Sequence, residues 1–118
     1  GLVAGWTAVG FLDEIEAGTV ELLENISYDG LLKQAMLGRI DGAYSNVATS
    51  RYYLKNTIDE PDGLAFDETL PHVRSARRLA SIHHPEVIAE FNRFLEDHAD
   101  EIAALKQHYA VEDGVLVN

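Results

Sequence analysis

The chain has 118 residues, 47% of them hydrophobic, and its 20 acidic and 9 basic side chains give a formal net charge of −11. This length and apolar content suffice for one domain with a hydrophobic core, and no apolar run reaches the roughly 18 to 20 residues of a transmembrane helix. The acidic balance argues against binding to nucleic acid or to an anionic membrane, and the absence of cysteine excludes disulfides and thiolate catalysis.

An apolar segment at the start of the chain, Leu2–Ala4, predicts a first strand. Gly5 and Trp6 then form a turn, and a helix is expected to begin at Thr7 and to end at Gly18. Its buried stripe is predicted to consist of Val9, Phe11, Leu12 and Ile15. The unpaired backbone N–H groups at such a turn, together with the helix dipole, predict an anion-binding corner. On the residues alone, Thr7 is equally well explained as a helix cap.

Residues 20–26 predict a second strand, and the apolar spacing after Tyr28 predicts a helix that ends at Gly38. The apolar face of this helix consists of Leu31, Leu32, Ala35 and Met36. A brief third strand is then predicted from Ile40, Ala43 and Tyr44.

Two short polar side chains, Ser45 and Asn46, follow where this third strand should end. Thr49 or Ser50 is expected to cap the next helix, which carries Tyr52, Tyr53 and Leu54. Open parallel sheets bind ligands at the carboxyl ends of their strands, beside helix starts. Ser45 and Asn46 are therefore candidate ligand contacts.

The second half of the chain begins with a predicted loop, residues 57–70. Residues 73–82 predict a further strand, and it carries three arginines, Arg74, Arg77 and Arg78. These arginines are explained either by pairing with the many carboxylates or by binding a ligand carboxylate or phosphate. Pro85 opens a helical pattern that continues to Tyr109, with a possible break at residues 97–100.

Four short stretches form an ordered pattern along the chain: residues 38–41 (GRID), 52–55 (YYLK), 84–86 (HPE), and Lys106 with Tyr109. Together with the turn after the first strand, they resemble the second lobe and C-terminal segment of type II periplasmic solute-binding proteins of ABC transporters. The resemblance is to the branch that includes amino-acid binders, and it covers nearly the whole chain.

The resemblance implies an α/β fold with a small, mostly parallel sheet flanked by helices. It implies a single lobe-like unit from a two-lobed protein, with residues 1–62 as the second-lobe core and 63–118 as crossover and C-terminal helical segment. The implied function is binding of a small polar solute in an interlobe cleft, in the periplasm or another extracytoplasmic space, for uptake through the membrane subunits of an ABC transporter. The alternative is a ligand-sensing domain of a signalling receptor.

In the resembled family, a hydroxyl residue and backbone N–H groups in the first turn bind the ligand's carboxylate, and Thr7 matches that hydroxyl position. Asn46 stands where the amino-acid binders carry an aspartate for the ligand's ammonium group. A charge-assisted hydrogen bond contributes about 1.5–3 kcal/mol against about 1 for a neutral one, so an α-amino acid is not the expected ligand. The candidate ligand-binding residues are Val3, Gly5, Trp6, Thr7, Ala8, Ser45 and Asn46.

Other chemistries have weaker support in the sequence. The five histidines do not show the i, i+4 spacing of zinc-binding helices, so no metal site is predicted. The carboxylates lie where solvated helix faces or loops are expected, and neither an enzyme activity nor a cofactor is predicted. Apolar faces meant for a first lobe predict self-association of the isolated chain.

Overall fold

The computed structural model describes residues 1–74 and 78–112. Within these ranges the chain combines helices with a small parallel sheet, which confirms the predicted α/β character. The chain divides into two compact units, Gly1–Val73 and Arg74–Asn118. The elements, in chain order, are strand β1 (Leu2–Val3), a 3-10 helix (Val9–Phe11), helix α1 (Leu12–Glu16), strand β2 (Glu24–Asn25), helix α2 (Tyr28–Met36), helix α3 (Val47–Tyr53), a π-helix (Leu54–Ile58), helix α4 (Pro85–Asp97) and helix α5 (Ala99–His108).

The two strands pair in parallel, and the facing residues are Leu2 with Glu24 and Val3 with Asn25. β1 is short because Gly5, at φ +82°, turns the chain soon afterwards. The second strand was predicted over residues 20–26, and it is reduced to the two residues that have partners on β1.

The predicted third strand is wrong, because residues 40–44 form no strand; in its place, segment 42–44 makes two backbone hydrogen bonds with Gly1. The backbone nitrogen of Gly1 donates to the Gly42 carbonyl at 2.7 Å, and the N–H of Tyr44 donates to the Gly1 carbonyl at 2.8 Å. Gly1 thus bonds to Gly42 and Tyr44, the two residues on either side of Ala43. This is the hydrogen-bond pattern of parallel strands. Leu2 bonds towards β2, and successive residues of an extended chain bond towards opposite edges, so residues 42–44 lie on the other side of β1. The sheet itself consists of β1 and β2, and segment 42–44 runs beside β1 on the side opposite β2.

The core of the first unit lies between this sheet and α2. Its buried side chains are Leu2, Ala8, Leu31, Leu32, Ile40 and Leu54. Leu31 and Leu32 belong to the apolar face predicted for α2. Full burial of one leucine contributes about 1.5–3 kcal/mol, so this cluster is the main force that holds α2 on the sheet.

Helix α2 begins and ends close to the predicted residues. Ser27, in an extended conformation, caps the helix, because its Oγ accepts the N–H of Gly30 at 3.2 Å. Gly38 follows the last turn at φ +64°, a left-handed conformation that favours glycine. The prediction that Gly38 ends this helix is confirmed.

The helix expected to begin at Thr7 starts later and less regularly. A 3-10 turn begins at Val9, and the α-helical turns of α1 begin only at Leu12. Glycine ends α1 as predicted, because Gly18 adopts φ +72° and donates its N–H to the carbonyl of Ile15.

Helix α3 continues directly into the π-helix, and Asp59 ends that segment at φ +61°. The predicted loop therefore begins two residues later than residue 57. In this loop, Asp67 Oδ1 accepts the N–H of Thr69 at 2.9 Å and its hydroxyl at 2.6 Å. These bonds lower the pKa of Asp67 below its ordinary value of 3.8.

The second unit consists of α4 and α5. Pro85 is at the first turn of α4, as predicted, and the predicted break is confirmed at His98, between the two helices. The strand predicted over residues 73–82 is wrong for its described part, because residues 73–74 and 78–82 have no regular structure there. Arg77 lies outside the described residues.

Apolar side chains on α4 and α5 are exposed, among them Val87, Phe94 and Leu105. The self-association expected of the isolated chain stays a prediction. No helix in the described ranges has the length and apolar character that crossing a membrane requires.

Candidate ligand-binding site

The turn after β1 exposes two of the predicted ligand residues. The N–H of Trp6 donates to the carbonyl of Val3 at 3.1 Å, which closes the turn around Gly5. The Trp6 side chain is 43% exposed, and Thr7 is exposed beside it. Both side chains therefore lie at the carboxyl end of β1, where the sequence placed them.

Backbone N–H groups at this turn are available to a ligand. Among the described residues, neither Gly5 nor Thr7 has an acceptor for its N–H group. The Thr7 hydroxyl caps no helix, since the 3-10 turn follows Ala8 and has no side-chain cap. Helix α1 begins at Leu12, so the expected helix dipole is absent at Thr7. The predicted anion-binding corner is thus reduced to a pair of N–H donors.

Asn46 stands at the second edge of the candidate site and caps α3. Its Oδ1 accepts the N–H of Thr49 at 2.9 Å and the Thr49 hydroxyl at 3.1 Å. The prediction that Thr49 or Ser50 caps this helix is wrong, because α3 begins earlier, at Val47. Asparagine is among the preferred N-cap residues. The capping bonds occupy Oδ1 and leave the amide Nδ2 as the group that can face a ligand.

A chain of hydroxyl groups runs from Ser45 to Tyr28. Ser45 Oγ lies 2.8 Å from Ser50 Oγ, and Ser50 Oγ lies 3.3 Å from the Tyr28 hydroxyl. The Tyr28 hydroxyl donates to the Asn46 carbonyl at 3.0 Å. The start of α2 is thereby tied to the segment that carries Ser45 and Asn46.

Tyr28 also contacts the first edge of the site. Its ring meets Trp6 edge to face, with centroids 5.9 Å apart, and stacks on Tyr53 at 5.0 Å. Tyr28 therefore joins the turn after β1 to the residues after segment 42–44. Tyr28 is not among the site residues predicted from the sequence.

The remaining predicted residues contribute through backbone or packing. Val3 is half-buried in β1, and its carbonyl closes the turn. Ala8 is buried in the core as a whole residue, so its prediction as a ligand contact is wrong.

One ionised carboxylate lies next to Tyr28 in the sequence. A hydrogen bond with the Ser27 hydroxyl, followed by one with Lys33, lowers the pKa of Asp29. The Asp29 carboxylate pairs with Lys33 at 3.4 Å on a partly exposed face of α2. This pair stabilises the helix locally and is not one of the groups that line the site.

A groove of about 670 Å³ lies on the second unit, and none of the predicted ligand residues is among the residues that line it. Its lining residues are Leu95, Ala99, Ile102, Ala103, Lys106, Gln107 and Glu112. Its lining is mostly apolar, which suits helix packing better than a polar solute. In the described part of the chain, no three histidine or acidic side chains are grouped so that they could hold a metal ion.

Comparison of the chain with protein-family models, with curated proteins and with solved structures found no match.

Proposed function

We propose that the chain binds a small polar solute at one end of its sheet, as one lobe of a two-lobed, periplasmic-binding-protein-like receptor. The binding corner is defined here as Gly5, Trp6, Thr7, Ser45 and Asn46. The observation that carries the proposal is that Tyr28 joins the two halves of this corner, which are about 40 residues apart in the sequence.

The path of the chain on the two sides of β1 supports this location. The chain leaves β1 for β2 on one side and returns to segment 42–44 on the other, so the connections reverse direction across β1. In open α/β sheets, ligands bind outside the carboxyl ends of the strands where the strand order reverses. The binding corner lies at that end of β1 and of segment 42–44.

The chemistry of the corner favours a solute without a strong charge. Its polar groups are backbone N–H groups, the hydroxyls of a serine and a threonine, and an amide, and the Trp6 ring adds an exposed apolar surface. Asn46 offers Nδ2, which donates hydrogen bonds and cannot pair with an ammonium group as an aspartate would. An ordinary α-amino acid is therefore not the preferred ligand.

In this proposal a first lobe would close over the corner and trap the solute by hinge motion. The closed form would then be recognised by the membrane subunits of an ABC transporter outside the cytoplasm. A transport protein and a signalling receptor of this kind would both bind the solute first. The groups of the binding corner support this binding step and do not distinguish the two roles.

The experiment is calorimetric titration of the full-length protein that contains this chain, after a thermal-shift screen of polar metabolites. Trp6→Ala should weaken binding of the solute found in the screen at least tenfold, because truncation of a central aromatic contact commonly costs more than about 1.4 kcal/mol. Phe66→Ala is the matched control, since Phe66 is a similarly exposed aromatic at 37%. Equal loss in both variants, or no binding by any solute, would contradict the proposal.

A further inference from the structure

The direction of the hydroxyl chain follows from the number of hydrogens available. The Tyr28 hydroxyl has one hydrogen, and the Asn46 carbonyl, which can only accept, receives it at 3.0 Å. Ser50 must therefore donate in its contact with Tyr28. With its single hydrogen used, Ser50 must accept from Ser45 at 2.8 Å.

Ser45 consequently presents only lone pairs to a ligand. Ser45 is half-buried, and its Oγ takes part in a part-buried contact with Ser50. A group that lies against Ser45 must bring an N–H or O–H hydrogen. Carboxylates and other groups that only accept hydrogen bonds are disfavoured there, and the net charge of −11 adds to that preference.

Next to the Ser45 lone pairs, the corner offers donors: Asn46 Nδ2 and the backbone N–H groups of the turn after β1. Within the described ranges, the N–H groups of Gly5 and Thr7 lack acceptors, so they suit a carbonyl oxygen. Trp6 offers an aromatic surface in contact with Tyr28. A planar amide supplies a carbonyl acceptor and an N–H donor in one flat, uncharged group that packs well on an aromatic ring.

We propose that the corner selects neutral solutes that contain a planar amide, such as a carboxamide, lactam or ureide, and that the hydroxyl chain sets this preference. The inference depends on the proposed function, because it assigns the solute class of the same site. Tyr28 and Ser50 are positioning residues, since they act by fixing the hydrogen of Ser45.

The first experiment is calorimetry on the full-length protein with three matched pairs of probes. These pairs are nicotinamide with nicotinate, succinamide with succinate, and uracil with 1,3-dimethyluracil, which lacks N–H groups. For any pair that binds, the amide with its N–H is expected to bind at least tenfold more tightly than its partner. Equal or tighter binding of the acid or the N-methylated compound overturns the inference.

The second experiment changes the hydroxyl chain and keeps the rings. Tyr28→Phe removes the acceptor of the Ser50 hydrogen, and Ser50→Ala removes the acceptor of the Ser45 hydrogen. Ser50→Ala frees the Ser45 hydrogen for a ligand, and Tyr28→Phe allows Ser50 to donate to Ser45, which releases the Ser45 hydrogen as well. The preference for nicotinamide over nicotinate should therefore fall about fivefold to tenfold. Tyr53→Phe is the control, because it keeps the ring stacked on Tyr28 and its hydroxyl makes no hydrogen bond seen among the described residues.

The outcomes separate the two proposals. A preference unchanged in both Tyr28→Phe and Ser50→Ala refutes the role of the hydroxyl chain, and circular dichroism of each variant shows that it is folded. If Ser50→Ala does not fold, Tyr28→Phe alone decides. Binding of a polar solute by the protein, with none of the amides bound, overturns the inference and leaves the proposed function in place. If no polar solute binds, both fail.

Discussion

Replacing Asn46 by aspartate separates its role as a helix cap from its proposed role in ligand binding. Aspartate has the same shape, so its Oδ1 should still accept the two hydrogen bonds from Thr49 that begin α3. The second oxygen replaces Nδ2, and the free group of the side chain changes from a neutral donor to a charged acceptor.

The capping role predicts a change in the free energy of unfolding, and the binding role predicts a change in affinity for α-amino acids. Loss of the cap in Asn46→Ala should lower the free energy of unfolding by about 1 kcal/mol, as is usual for N-cap asparagine. Asn46→Asp should stay within about 0.5 kcal/mol of the wild type, since the negative charge at a helix start is favourable by about 0.3–1 kcal/mol and the acidic protein opposes it. For an α-amino acid, the exchange of a neutral for a charge-assisted bond gains about 0.5–2 kcal/mol, which is roughly twofold to thirtyfold in affinity.

Urea unfolding followed by circular dichroism gives the first quantity, and calorimetry with glycine, alanine and glutamine on the full-length protein gives the second. Asn56→Asp is the control for added charge, because Asn56 lies at the far end of the same helical segment. If Asn46→Asp destabilises the protein as much as Asn46→Ala, the capping geometry is refuted. If its affinity for α-amino acids does not rise above that of Asn56→Asp, the Asn46 side chain does not face the ligand.

Three further predictions concern the fold. Leu31→Ala should lower the free energy of unfolding by about 2–5 kcal/mol in urea titrations, whereas Leu37→Ala, at a position 66% exposed, should change it by less than about 0.5 kcal/mol. Gly38→Ala should cost about 1 kcal/mol because the residue adopts φ +64°, while Gly42→Ala, where an added methyl meets no atom within 4 Å and φ is not positive, should be nearly neutral in the same assay. The folded-state pKa of Asp67 is lowered, so its contribution to stability is present above the unfolded value of 3.8 and is lost as the pH falls through the folded value. NMR titration of its carboxyl carbon should therefore give a midpoint below 3.8, and a midpoint at or above 3.8 would contradict the hydrogen bonding described for this turn.

Local signals in the sequence predicted α2 well and the strands poorly. The stripe of α2 and the glycine at its end depend on residues within a few positions of one another, so Leu31, Leu32 and Gly38 were placed correctly. The extent of a strand depends on its partner. Residues 20–26 have strand character, yet only two of them pair, because the turn at Gly5 shortens β1.

The candidate site shows the same division. Trp6 lies at the carboxyl end of β1 as expected, whereas the strand expected before Asn46 is absent. The cap of α3 was misassigned because Asn46, Thr49 and Ser50 are all good caps, and only the register of the helix chooses among them. The role of Tyr28 depends on contacts with residues about 20 positions away on each side, which no spacing rule reveals.

Trp6 belongs to the proposed binding corner, and it also gives the protein a spectroscopic property. It is the sole tryptophan of the 118 residues. Tryptophan fluorescence from this chain, which lies at longer wavelength than tyrosine fluorescence, therefore originates at the proposed binding corner. Its ring touches Tyr28, which stacks on Tyr53, and light absorbed by these tyrosines can reach the indole by energy transfer. A solute that covers the indole, or a lobe that closes over it, would shift this emission to shorter wavelength. The fluorescence of Trp6 can therefore report whether a solute occupies the proposed binding corner.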